Sequence, residues 1–165
     1  MDLAEYQLLA QRTALPTSLS REYLVPMIIG EIGELFGQKA KAVRDTWAPD
    51  DLAKMLISEY GDIAWGTAML LSHFDIHEVP HKYAPFKKPE LHLLRLGHDL
   101  MESHTFESPS QVPWLDEVAL EFWMVLESGC LAITGRDFDT VLAANVDKLA
   151  RRAQYDTIMG SGDLR

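Results

Sequence analysis

Apolar residues recur every three to four positions along almost the whole chain, and turn formers interrupt them roughly twenty residues apart. Strand-like alternation is scarce, so the pattern predicts an all-α fold, a bundle of about six helices. Leu3, Tyr6, Leu9 and Thr13 share a stripe on a first helix that ends near Pro16. A second helix starts between Ser20 and Pro26 and runs to about Arg44, with Pro26 expected in its first turn, since further inside it would kink the helix. A third follows a loop over Thr46–Asp51, with Asp50 or Asp51 as N-cap after Pro49, and reaches about Phe74. Residues 76–89 carry Pro80, Pro85 and Pro89 and read as a loop. A fourth helix spans Glu90 to Ser103, a break covers Ser108–Pro113, and a fifth runs from Trp114 to Thr134. Gly135 ends the fifth, Asp137 caps a sixth that reaches about Arg152, and the tail from Tyr155 to Arg165 is irregular.

The 165 residues suffice for one domain, 1–165, with one core, and no linker divides them. The longest apolar run, Ile63–Leu71, falls well short of the roughly 18 residues a membrane span needs. The N-terminus lacks a basic stretch followed by an apolar one, so no export signal is expected. Cys130 is the only cysteine, which rules out an intrachain disulfide and fits a reducing cytoplasm. The formal charge of −10 repels nucleic acid and anionic lipid, so neither is expected as a partner. A phosphate-bearing substrate would need bound cations or a few placed Lys and Arg.

The acids that stand out lie in two pairs. Glu31 and Glu34 fall on the second helix, Glu59 and Asp62 on the third. A spacing of i, i+3 puts both members of a pair on one face, about 5–6 Å apart at Cβ. Both pairs sit in apolar frames: Ile28, Ile32, Leu35 and Phe36 around the first, Ile63–Leu71 after the second. Burying unpaired carboxylates is costly, and four together also repel one another. A hard divalent cation resolves both costs, and an all-carboxylate set suits magnesium or manganese rather than zinc. A solvated face or a set of salt-bridge partners is the plainer reading of the same acids.

Gly30, Gly33 and Gly37 form a stripe on the second helix, and Gly61 and Gly66 lie on the third. Each reads either as a close approach of helices or as room for a bulky neighbour. Lys39, Lys41 and Arg44 follow the first acidic pair. Asn145, Lys148 and Arg152 share one face of the sixth helix. Both groups suit phosphate, and both also suit ordinary cations near helix C-termini. His73, His77 and His81 have i, i+4 spacing, but the helix end near Phe74 and Pro80 spoil a shared face for zinc.

Taken together, Gly30-Glu31-Ile32-Gly33-Glu34-Leu35, Glu59-Tyr60-Gly61-Asp62-Ile63-Ala64-Trp65 and Asn145-Val146-Asp147-Lys148-Leu149 with Arg152 resemble the motifs of the MazG-like all-alpha nucleotide pyrophosphohydrolases. This superfamily includes dimeric dUTPases and dCTPases. Tyr6-Gln7 and the tail Gly160–Arg165 resemble a phage and bacterial subgroup. The resemblance covers residues 1–75 and 136–165. It implies a MazG-like bundle with an inserted helix pair (about 76–134). It also implies hydrolysis of a nucleoside triphosphate to monophosphate and pyrophosphate, and magnesium held by Glu31, Glu34, Glu59 and Asp62. Asn145 and Lys148 are implied to approach the phosphates, joined by Arg152 and, less firmly, Lys39. Glu34 is the expected water-activating carboxylate. A homodimer or homotetramer is implied. Gly66 departs from members that carry an aromatic there, which shifts base stacking to Trp47 or Trp65. A nucleotide sensor without turnover, and a purely structural bundle, are the rival classes.

Within the insert, Leu96–Met101 echoes Ile29–Glu34 and Glu117–Trp123 echoes Glu59–Trp65. That pairing sets His98, Met101 and Leu120 opposite Glu31, Glu34 and Asp62. It reads as a decayed second copy of helices two and three, or as an unrelated hairpin.

Overall fold

The computed structural model describes residues 1–80, 86–105 and 115–154. The expected break at Ser108–Pro113, the irregular tail and His81 lie outside the described residues. Among those described, the structure is all-helical: α1 (Leu3–Gln11), a 3-10 turn (Pro16–Leu19), α2 (Arg21–Asp45), α3 (Pro49–His73), α4 (Pro89–Thr105), α5 (Leu115–Thr134) and α6 (Phe138–Gln154). No single helix of the described residues is long and apolar enough to cross a membrane.

Local chemistry sets most of the boundaries. The Asp2 carboxylate accepts from the Glu5 amide and Ser20 Oγ from the Tyr23 amide, satisfying donors that the first turns of α1 and α2 leave open. Asp137 does the same for α6 through the Thr140 amide at 2.8 Å. Gly135, at φ +73°, turns the chain between α5 and α6 in the left-handed conformation that glycine adopts without penalty. Two expectations need correction. Neither Asp50 nor Asp51 caps α3: Ala48 holds the N-cap, Pro49 takes the first helical position where its missing N–H costs nothing, and both aspartates fall in the first turn. Pro26 lies in the second turn of α2, not the first. The helix continues through it, and Pro26 itself is exposed.

α3 is the central helix and packs on α1, α2, α5 and α6. Every residue from Ile63 to Leu71 is buried, as the apolar run requires. The side chains buried in all the helices form one continuous core. On α1 the buried stripe is Leu3, Tyr6, Gln7 and Ala10; Leu9, expected in it, is only half-buried, and Thr13 lies in the turn past the helix end. Gln7 ties α1 to the end of α3: its Nε2 donates to the carbonyls of Ala68 (3.0 Å) and Ile76 (2.9 Å), and its Oε1 meets His77 Nδ1 at 2.7 Å.

The glycines divide by helix. A Cβ on Gly61 would stand 2.9 Å from Asn145 Cβ, and one on Gly66 would stand 2.5 Å from the Met27 side chain, so these two let α6 and α2 approach α3. Gly30, Gly33 and Gly37 face open space, with nothing within 4 Å of the place a Cβ would take, so neither reading of that stripe holds.

α4 and α5 repeat part of the burial spacing of α2 and α3, in a register one residue away from the sequence echo. In α4, Leu93, Leu96, Leu100 and Ser103 are buried at the spacing of Val25, Ile28, Ile32 and Leu35. In α5, Val118, Ala119, Phe122 and Trp123 follow Glu59, Tyr60, Ile63 and Ala64. By that burial pattern Asp99, Glu102 and Glu121, rather than His98, Met101 and Leu120, align with Glu31, Glu34 and Asp62, and Val118 with Glu59. The Arg95 guanidinium joins this second set, 3.0 Å from Glu121 and 3.9 Å from Asp99.

Candidate functional site

α2 and α3 pack side by side and bring their acids together. One carboxylate oxygen from each of Glu31, Glu34 and Glu59 lies within 4.8 Å of the other two. The three are graded in depth: Glu59 is buried, Glu31 half-buried and Glu34 exposed. The cluster is therefore deepest at Glu59 on α3 and open to solvent at Glu34.

Electrostatics follow from that depth. Burial pushes the Glu31 carboxyl up to about 8, and the nearby charges of Asp62, Glu34 and Glu59 add to the effect while Lys148 opposes it. Glu59 is raised by burial too, against a 2.8 Å hydrogen bond donated by Gln38 Nε2. A cluster that drives its own members toward protonation is short of positive charge, and an oxygen-binding divalent cation would supply it. The donor set therefore fits magnesium or manganese.

Asp62 is placed differently from the other three. Its field reaches Glu31 and Glu59, but both its oxygens already have donors. Asn145 Nδ2 donates to Oδ1 at 2.9 Å, and the Lys148 ammonium pairs with Oδ2 while also reaching Ser58 Oγ at 3.1 Å. Asn145 in turn accepts the Tyr6 hydroxyl at 2.8 Å and is only 3% exposed. The expected cations of α6 thus separate. Lys148 stands at the edge of the cluster, Asn145 stands behind Asp62, and Arg152 is exposed in the last turn on the same helical face. Lys39 is not brought into the cluster; its ammonium pairs with Glu90 and ties α2 to α4. Trp65, one turn past Asp62, is buried.

Among the described residues, His73 and His77 make no joint site. His77 is held by Gln7 and Asp75, and His73 packs edge-on against Phe74. His98, Asp99 and Glu102 converge on α4, with Asp99 also close to Arg95. Three participants escaped sequence reasoning. Gln38 had a local signal, since it continues the Glu31–Glu34 face one turn on. Ser58 had none, and Tyr6 had only its place in the resemblance, because their roles depend on α6 docking from far along the chain.

Compared with family models, curated proteins and solved structures, the chain matches none.

Proposed function

We propose that this chain is a magnesium-dependent nucleoside triphosphate pyrophosphohydrolase of the MazG-like all-alpha kind. The observation that carries the reading is the convergence of Glu31, Glu34 and Glu59 from two helices within 4.8 Å, beside Asp62 and Lys148. Glu31, Glu34, Glu59 and Asp62 would hold the cation, whose part is to bind triphosphate oxygens and neutralise charge developing there. Glu34 is exposed and is the acid best placed to accept a proton from an attacking water. That water adds to the α-phosphorus while the α–β anhydride bond breaks, giving monophosphate and pyrophosphate. Lys148 exchanges Asp62 for a phosphate oxygen, and Arg152 extends the same cationic face outward. Assembly into a homodimer or homotetramer belongs to the same proposal and is read by light scattering.

A second reading, a nucleotide sensor without turnover, draws on Asp62. Donors on both its oxygens leave the site partly neutralised from within. A panel of canonical and damaged (d)NTPs with magnesium, scored for pyrophosphate against orthophosphate, separates the two. Pyrophosphate with monophosphate supports hydrolysis, tight binding without product supports the sensor, and stepwise orthophosphate contradicts the proposed chemistry.

A further inference from the structure

We propose that Tyr6 is a positioning residue of the acidic site, acting on Asp62 through the side-chain amide of Asn145. The inference rests on the reading above that Asp62 belongs to the metal and phosphate site, and it assigns Asn145 to the support of that site rather than to the nucleotide.

Three helices meet in one short relay. The Tyr6 hydroxyl of α1 donates to Asn145 Oδ1 at 2.8 Å, and Asn145 Nδ2 of α6 donates to Asp62 Oδ1 of α3 at 2.9 Å. Tyr6 is fully buried and Asn145 nearly so, so water does not compete for the bond between them, while the Asn145–Asp62 bond is partly buried. The tyrosine is also held by ring packing: its ring lies 5.9 Å from that of Trp123 on α5, tilted by 39°, and Trp123 in turn meets Phe138 at the start of α6 at 5.1 Å. Burial and the Asp62 charge hold its hydroxyl in the protonated, donating form. Asn145 is confined from the other side by Gly61, the neighbour of Asp62, where any larger residue would collide with it.

A side-chain amide has a donor end and an acceptor end, and each must find a partner when buried. Asp62 takes the donor end and Tyr6 the acceptor end. Without the hydroxyl, Asn145 Oδ1 has no hydrogen-bond donor in a buried place, and the amide gains by rotating away from Asp62. With it, one lone pair of Asp62 Oδ1 is fixed, which sets the orientation of the carboxylate beside the cluster. Supporting hydrogen bonds of this kind orient metal-binding carboxylates elsewhere in protein chemistry.

The test compares the wild type with Tyr6→Phe, which removes only the hydroxyl, and with Trp123→Phe, which disturbs the ring packing and keeps the hydroxyl. The first readout is the Asn145 side-chain amide pair in the 15N–1H spectrum. In the wild type the two protons should be widely split and protected from exchange. In Tyr6→Phe they should move toward free-amide positions and lose protection, and in Trp123→Phe they should stay. The second readout is magnesium affinity by calorimetry, expected to fall about fivefold in Tyr6→Phe, the equivalent of one ordinary hydrogen bond. An unchanged amide pair in folded Tyr6→Phe overturns the inference, as does a released amide with magnesium affinity unaltered. Neither readout needs turnover, so a protein that binds magnesium without hydrolysing nucleotide refutes the proposed reaction and leaves this inference to be decided on its own.

Discussion

Glu31 is half-buried among Glu34, Glu59 and Asp62, and its carboxyl is pushed up to about 8. Glu31→Gln removes one charge from that group at nearly constant volume. The metal-free melting temperature should therefore rise by a few degrees in a thermal scan near pH 8, while magnesium should no longer raise it. Turnover with a triphosphate should fall by roughly 100-fold or more, as expected when a group stabilising developing charge is lost. Lys39→Met is the contrasting substitution. Its partner Glu90 lies on α4 and the pair is partly exposed, so the loss should be about 0–1 kcal/mol of stability. Turnover in a steady-state assay should stay near the wild-type value. A large loss of turnover would place Lys39 at the substrate.

At the scale of the elements, the close approach of α3 and α6 sets the distance between Asp62 and its two donors. Gly61→Ala puts a methyl 2.9 Å from Asn145 Cβ and should cost about 1–3 kcal/mol in chemical denaturation, with turnover reduced as α6 is displaced. Gly30→Ala meets nothing and should stabilise α2 by about 1 kcal/mol in the same experiment. This contrast also shows what was legible in the sequence. The helices and their order follow from a 3.6-residue period and strong punctuation by Pro16, Pro49 and Gly135. The two acidic pairs follow from i, i+3 spacing on adjacent helices. Pairings across the bundle do not follow, because nothing near Lys39 marks Glu90, and nothing near Tyr6 marks Asn145. The glycine stripe on α2 and the contact glycines of α3 look alike in sequence, and only the neighbours brought up by packing tell them apart. In α4 and α5, the sequence echo set His98 and Met101 opposite Glu31 and Glu34, whereas the burial pattern matches one residue away and aligns Asp99 and Glu102 with them.

For the molecule as a whole, stability should depend on pH through the same acids. Glu31 titrates near its ordinary value of 4.5 when unfolded and at about 8 when folded, and Glu59 is shifted in the same direction. Between those limits the native state holds more protons than the unfolded chain, so stability is greatest below the lower limit and is lost as pH rises through the upper one. Metal-free protein should melt at a lower temperature at pH 8 than at pH 5.5, and magnesium should reverse most of that loss by binding the native state alone. The most direct measurement is a calorimetric titration of magnesium or manganese into metal-free wild type, Glu31→Gln and Glu59→Gln at pH 8. Saturable binding to the wild type that both substitutions abolish is the predicted result. No saturable binding to the wild type, or equal binding to all three, contradicts a cation held by the acids of α2 and α3.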